Sequence, residues 1–238
     1  MNPQELLRAG RLDQAVEELG VELRQDPTDA RRRIFLFELL CFAGAYARAE
    51  KQLDVLAQRG ADAAMGTLLY RSALHAEQTR QDMFLQGSLP TGPAPRPVSG
   101  TLNGAPFQSL TDADPRIGAR LEIFAAGQYT WVPLAQVASV RMRAPTRLRD
   151  LLWAPAAVRT ADDFQGAELG EVLIPVMAPL SWRHPDEAVR LGRVTQWQEL
   201  DEGAQAPIGQ KLPLVDDQEF PILELRELDI VPAPVAIG

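Results

Sequence analysis

Residues 3–85 mix apolar and polar positions in long stretches of Leu, Ala, Glu, Gln and Arg, and Pro27 is the only proline after Pro3. That texture is helical. The segment also repeats itself. A shift of 34 residues sets Ala9-Gly10-Arg11-Leu12-Asp13-Gln14-Ala15 on Ala43-Gly44-Ala45-Tyr46-Ala47-Arg48-Ala49, with Leu6 on Leu40 and Leu19 on Leu53. A second shift sets Ile34, Phe35 and Leu40 on Leu68, Leu69 and Leu74. This period is the tetratricopeptide length, in which each unit is a pair of antiparallel helices. Gly10 and Gly44 fall where the first helix of a pair ends and a positive φ is favoured. Ala15 and Ala49 fall where the second helix crosses closely over the first, and Pro27 closes the first repeat. The spacing predicts helices over 3–9, 12–25, 29–43, 46–58 and 62–85.

The pattern then changes. Gly87–Pro106 holds five prolines and four glycines, which no helix survives, and reads as a linker. All four tryptophans follow it, among short runs of strand composition: Tyr129–Val132, Val137–Met142, Glu171–Val176, Arg193–Leu200, Lys211–Val215 and Ile222–Ile230. Turns are expected at Asp162-Asp163, Asp201-Glu202-Gly203 and Asp216-Asp217. Short helices are expected around Pro115–Ala126 and Leu148–Leu152. The fold class is therefore α+β: a tetratricopeptide-like helical domain over 1–86, a linker over 87–106, and a mostly antiparallel β-rich domain over 107–238.

Composition narrows the function. With 46% hydrophobic and 24% charged residues the chain has the make-up of a globular protein. No apolar run is long enough to span a membrane, and MNPQELLRAGRL is polar where a signal peptide is apolar, so a cytoplasmic protein without a membrane partner is expected. The net charge is −8, but residues 199–238 alone, with 2 basic and 9 acidic side chains, carry −7 of it. An acidic chain of pI near 4.9 does not suit nucleic acid. One cysteine, Cys41, and two histidines, His75 and His184, leave no disulfide and little material for a metal site, so no metal or cofactor is expected.

Stacked repeats expose a concave surface lined by the first helix of each pair. Counted from Ala30, that surface takes in Arg31, Ile34, Glu38, Cys41 and Phe42, then Met65, Leu68, Ser72 and His75. A peptide or helix fits such a face; the competing reading makes Ile34, Phe42 and Leu68 core. Cys41 reads as a small buried residue and His75 as a helix-surface residue. Asp112, Asp114 and Glu122 have the chemistry of a cation site or an acid–base pair in a hydrolase. The same Asp-x-Asp-Pro pattern also caps a helix, with Pro115 at its first position and Arg116 locking the turn. Arg141, Arg143, Arg147 and Arg149 suit a phosphate-binding regulatory module, or else intramolecular pairing with the acidic C-terminal segment and with Asp150. No phosphate-cradling glycine loop, Gly-x-Ser-x-Gly elbow or nucleophile–His–carboxylate set is present, which predicts a non-enzymatic protein.

Five motifs in order carry a resemblance: Glu38-Leu-Leu-Cys-Phe-Ala-Gly44, Asp112-Ala-Asp-Pro-Arg-Ile-Gly118, Gly127-Gln-Tyr-Thr-Trp-Val-Pro133, Leu148-Arg-Asp-Leu-Leu-Trp153 with Pro155-Ala156, and Arg190-Leu-Gly-Arg-Val-Thr-Gln-Trp197 followed by Gly209-Gln210. On these the chain resembles the ImpE/TagJ accessory proteins of bacterial type VI secretion systems. The resemblance implies a cytoplasmic adaptor whose partner is the N-terminal helix of the small contractile-sheath subunit, with a modulating role in sheath assembly or in its recycling by the associated unfoldase. The matching residues Asp112, Asp114, Arg116, Gly118, Gly127, Trp131, Arg149, Asp150, Trp153, Arg193 and Trp197 are then expected to be structural, with Gly127, Trp131 and Trp153 in turn and core.

Overall fold

The computed structural model describes residues 1–90, 96, 98–162, 164, 166, 168–200 and 203–231. Pro93, Pro95 and Pro97 of the expected linker, Asp163, Asp201 and Glu202 lie outside the described residues. Five helices come first: α1 (Pro3–Arg8), α2 (Leu12–Gln25), α3 (Ala30–Phe42), α4 (Tyr46–Ala57) and α5 (Ala61–Gln86). Their starts follow local chemistry. Asn2 and Glu5 form a capping box on α1, whose first residue is Pro3, and Asp29 accepts the Arg32 N–H at the head of α3. The two repeat glycines do the same work at helix ends. Gly10 and Gly44 both have positive φ, +80° and +67°. Each donates to the carbonyl three residues back, Leu7 or Cys41, while the next residue reaches back to Leu6 or Leu40, the Schellman pattern. Ala15 and Ala49 are fully buried, as the close crossing of paired helices requires.

Thirteen strands follow among the described residues. Eight form one antiparallel sheet in the order β2 (Ala105–Phe107), β1 (Gly100–Leu102), β13 (Glu227–Ile230), β6 (Val137–Met142), β7 (Trp153–Thr160), β8 (Gly170–Pro175), β4 (Arg120–Ala125) and β5 (Gln128–Pro133). A second sheet runs β12 (Gln218–Glu219), β11 (Pro213–Val215), β3 (Leu110–Asp112), and β9 (Gln196–Glu199) pairs with β10 (Gln205–Ile208). A short helix, α6 (Glu187–Arg190), precedes β9. The chain is thus tetratricopeptide-like helices followed by an antiparallel β-sheet domain.

Several expectations are corrected. Pro115–Ala126 is not a helix: Asp114 accepts the Arg116 N–H, the turn closes at Gly118, and Arg120–Ala125 pairs with β5 and β8. The end of the Gly87–Pro106 segment is not linker but the β1–β2 hairpin. Gly100 belongs there because a side chain at that position meets the Asp229 backbone across the pair, and Pro106 is tolerated on the sheet's edge strand. Of Ile222–Ile230 only β13 is strand, Ile222–Glu224 being a 3₁₀ turn; Arg193–Leu200 and Lys211–Val215 shorten to β9 and β11. Leu148–Leu151 is one 3₁₀ turn. β3, β7, β10 and β12 went unpredicted; of these β3 is a strand by pairing with β11, about a hundred residues along the chain.

The core joins the two parts. Leu12, Leu19, Phe37, Leu40 and Leu53 are continuous with Phe124, Leu152, Trp153, Met177 and Leu191 of the β part, while a second cluster around Ile123, Val140 and Ile174 fills the sheet itself. Helix α5 lies on β4 and β5. Among the described residues, no helix is long and apolar enough to cross a membrane.

Candidate functional site

The N-terminal halves of α3 and α5 stand apart over α4 and leave a groove of about 530 Å³. Small residues open it. Ala30, Ala63 and Gly66 line its rims, Leu53 and Leu56 of α4 make its floor, and Ile34, Phe37 and Tyr70 its walls. An added Cβ at Gly66 meets nothing within 4 Å, so the groove has free space beside α5. Phe37 meets Tyr70 edge-on with ring centroids 5.5 Å apart, which sets the Tyr70 ring as the end wall. Such a shape takes the apolar face of a short helix.

The residues expected on the concave face divide. Ile34 lines the groove; Arg31 and His75 are exposed. Met65 and Leu68 are 71% and 56% exposed but do not line it, because Leu68 lies about 140° around α5 from Ala63. Phe42, 2% exposed, is core beside Leu7, Met177 and Trp182 and not a surface contact residue. Cys41 is buried, and burial pushes its thiol well above the usual range, which leaves it unreactive. Sequence reasoning missed Gly66, Tyr70 and the Leu53–Leu56 floor. Leu53 was visible only as a repeat position.

Glu38, also expected on the concave face, is buried, within reach of the Asp150 and Arg147 charges. Burial, with Asp150 adding to it and Arg147 opposing, raises its carboxyl to about 7. The folded chain therefore keeps a proton that the unfolded chain releases near 4.5, and this group's contribution to stability falls as pH rises between those values. Glu38→Gln is expected to be more stable than the parent at pH 8, and the advantage should shrink by roughly 1–3 kcal/mol at pH 5. Urea unfolding at the two pH values measures it; a difference independent of pH refutes the assignment.

Below the groove, the C-terminal half of α5 is fastened to the sheet by buried charge. The Arg80 guanidinium donates to both Glu122 oxygens, at 2.7 and 3.2 Å, and to the Met177 carbonyl at 3.0 Å. Lys211 donates to Glu122 and, at 2.6 Å, to Asp112, while the Tyr129 hydroxyl donates to Glu122. Burial disfavours the Glu122 anion, yet Arg80 and Lys211 outweigh it and hold the carboxyl at about 2. Burial, with Glu122 close by, raises Asp112 despite Lys211. Asp114 pairs with Arg116 at 2.6 Å, and that guanidinium covers the Phe84 ring. The three carboxylates considered as a hydrolytic set are thus each engaged by a cation. Among the described residues no group of three or more His, Cys, Asp or Glu is placed to hold a metal ion.

Most motif residues line this same seam. The Trp153 indole donates to Glu77 at 3.0 Å, Trp131 donates to the Tyr129 hydroxyl, and Gly127 brings the β4–β5 turn against Ser72 of α5. Arg193 caps the end of α1 by donating to the Leu7 and Arg8 carbonyls, and Arg190 forks onto Asp13. Trp197, expected to be structural, lies away from the seam: it is 41% exposed and donates to Glu219.

The arginine run also divides. Arg141 pairs with Asp229 at 2.6 Å, as expected of the acidic C-terminal segment. Arg143, Arg147 and Arg149 instead line a second cavity, of about 340 Å³, whose wall includes Leu69, Tyr70 and Ala73 of α5. Asp150 also lines that cavity and shapes its loop, accepting from the Thr146 and Arg147 N–H groups at 2.9 Å each.

The family model described as ImpE protein matches residues 104–229, and a tetratricopeptide repeat model matches residues 6–71. The chain is 36% identical over 266 residues to the type VI secretion system accessory component TagJ of Pseudomonas aeruginosa, covering 98% of this chain and 92% of that protein. It also superposes on the crystal structure of protein VPA1032 from Vibrio parahaemolyticus with a TM-score of 0.85 at 24% identity, over 99% of both chains, a likeness of fold.

Proposed function

Because the chain belongs to the ImpE/TagJ family of type VI secretion accessory components, we propose that it is a non-enzymatic cytoplasmic adaptor whose helical groove holds the N-terminal helix of the small contractile-sheath subunit. In this reading residues 1–86 are the binding domain, and the β-rich domain over 107–238 braces it through α5. Holding that helix modulates how sheath subunits assemble or reach the recycling unfoldase. The observation that carries the reading is the groove itself: apolar floor and walls, a free volume of about 530 Å³ and a Gly66 rim, on repeats of the tetratricopeptide type.

Gly66 supplies the test. Gly66→Trp fills the groove from a position with open space in front of it, so the fold is retained, whereas Gly66→Ala leaves room and gains about 0.5–1 kcal/mol of helix propensity. In calorimetric titration with a synthetic peptide of the sheath subunit's N-terminal helix, the parent and Gly66→Ala bind. Gly66→Trp is expected to lose at least about tenfold in affinity. Leu68→Glu, on the outer side of α5, is expected to bind as the parent does. No binding by the parent overturns the reading; loss in Leu68→Glu with none in Gly66→Trp moves the site to the exposed Met65–Leu69 stripe.

A further inference from the structure

We propose that the cavity of Arg143, Arg147 and Arg149 is an anion subsite that takes the carboxylate side chains at one end of the same helical partner. The proposal rests on the adaptor reading of the groove and adds to it a charge requirement on the partner.

Three observations carry it. Groove and cavity share a wall. Tyr70 lines both, so their linings run along α5 from Ala63 to Ala73, about 15 Å of helix, which three turns of a bound helix match. A segment seated over Ile34 and Leu53 with its end passing Tyr70 arrives at the arginines.

The cavity keeps an excess of positive charge, three guanidinium groups against the one carboxylate of Asp150 in its lining. Among the described residues no carboxylate lies within 4 Å of the guanidinium nitrogens of Arg143, Arg147 or Arg149, although their sequence neighbour Arg141 is paired. Neither nearby carboxylate pairs with them: Asp150 accepts from backbone N–H groups of its own loop, and Glu38 is buried.

The site is also preorganised. Arg149 is laid on the Tyr70 ring at 4.9 Å, so its guanidinium is already oriented, and the Asp150 contacts fix the loop that carries Arg147. Clustered cations above an aromatic and aliphatic wall select an acidic residue next to an apolar face, and planar guanidinium groups grip carboxylates in two-pronged fashion.

The experiment uses the full chain and two probes: the sheath subunit's N-terminal helix peptide, and a copy in which each Asp and Glu is replaced by its amide. The parent is expected to bind the acidic peptide about tenfold more tightly at 50 mM NaCl, with the preference falling below about threefold at 0.5 M. Arg143→Gln with Arg147→Gln should abolish the preference and leave affinity for the amide peptide unchanged. Arg149 stays in place because it packs on Tyr70. Equal binding of both peptides by the parent, or a preference that survives the double substitution, overturns the subsite and leaves the groove reading standing. Failure of both peptides to bind overturns the groove reading and the subsite with it. If inorganic phosphate alone raises the melting temperature while the parent shows no peptide preference, the cavity holds a free anion and the proposal is overturned.

Discussion

Arg80→Ala is expected to lower the free energy of unfolding by about 3–5 kcal/mol, the largest loss for any single side chain here. Arg80 is wholly buried, and so is its partner Glu122. Truncation removes both prongs of the pair and the bond to the Met177 carbonyl, and it leaves Glu122 with Lys211 as its remaining cation. The cost comes from leaving a desolvated anion under-compensated, its one remaining cation shared with Asp112, rather than from the net worth of the pair, and that distinction is measurable. Arg80→Met combined with Glu122→Gln removes both charges and keeps the 2.6 Å Lys211–Asp112 contact. The double variant should therefore be less damaged than the sum of its parts, by more than about 1 kcal/mol in a urea double-mutant cycle. Strict additivity refutes the account. The pH dependence has a definite sign. Glu122 is held at about 2 against an ordinary 4.5, so its contribution is whole above the ordinary value and disappears as pH falls through the lower one.

Gly44→Ala is expected to cost about 2–4 kcal/mol, from about 1–2 for a left-handed backbone carrying a side chain and the rest from overpacking. The second part arises because a Cβ on Gly44 sits 2.3 Å from the Trp182 ring, which itself is held by a bond to Gln81 of α5. The chain contains its own control. Gly10 makes the same Schellman turn one repeat earlier with a similar φ, but the nearest atom to its added Cβ is an Arg193 nitrogen at 3.5 Å. Gly10→Ala should thus cost only the backbone part. Chemical denaturation of the two variants decides: equal losses show that Trp182 does not press on the turn. In a Trp182→Ala background the Gly44→Ala penalty should fall to the Gly10 level.

The two glycines also show what a sequence makes readable. Their spacing is enough to place both turns, because a Schellman end depends on φ at one residue and on carbonyls within the previous turn. The five helices were legible for the same local reason, and so was the motif series, most of whose residues line the α5–sheet seam. Where the deciding contact is distant, local signals mislead. Asp114-Pro115 reads as the start of a helix, yet Arg120–Ala125 is a strand, whose distant partners are Leu173 of β8 opposite Phe124 and the Arg80 and Lys211 side chains at Glu122.

The candidate site divides along the same line. That a helical repeat with an apolar face exists was settled by the amino-acid order alone, through period and composition. Which apolar residues remain open was settled by docking: the β part covers Phe42 and leaves the groove at Ile34 and Gly66 uncovered. The arginine run is the sharpest case. Four cations in nine residues look alike in sequence, but the β6–β13 register brings Asp229 to Arg141, while among the described residues Arg143, Arg147 and Arg149 have no carboxylate within 4 Å. Helix and turn propensities act over a few neighbouring residues. Burial and charge pairing depend on surfaces that meet only after the chain has folded.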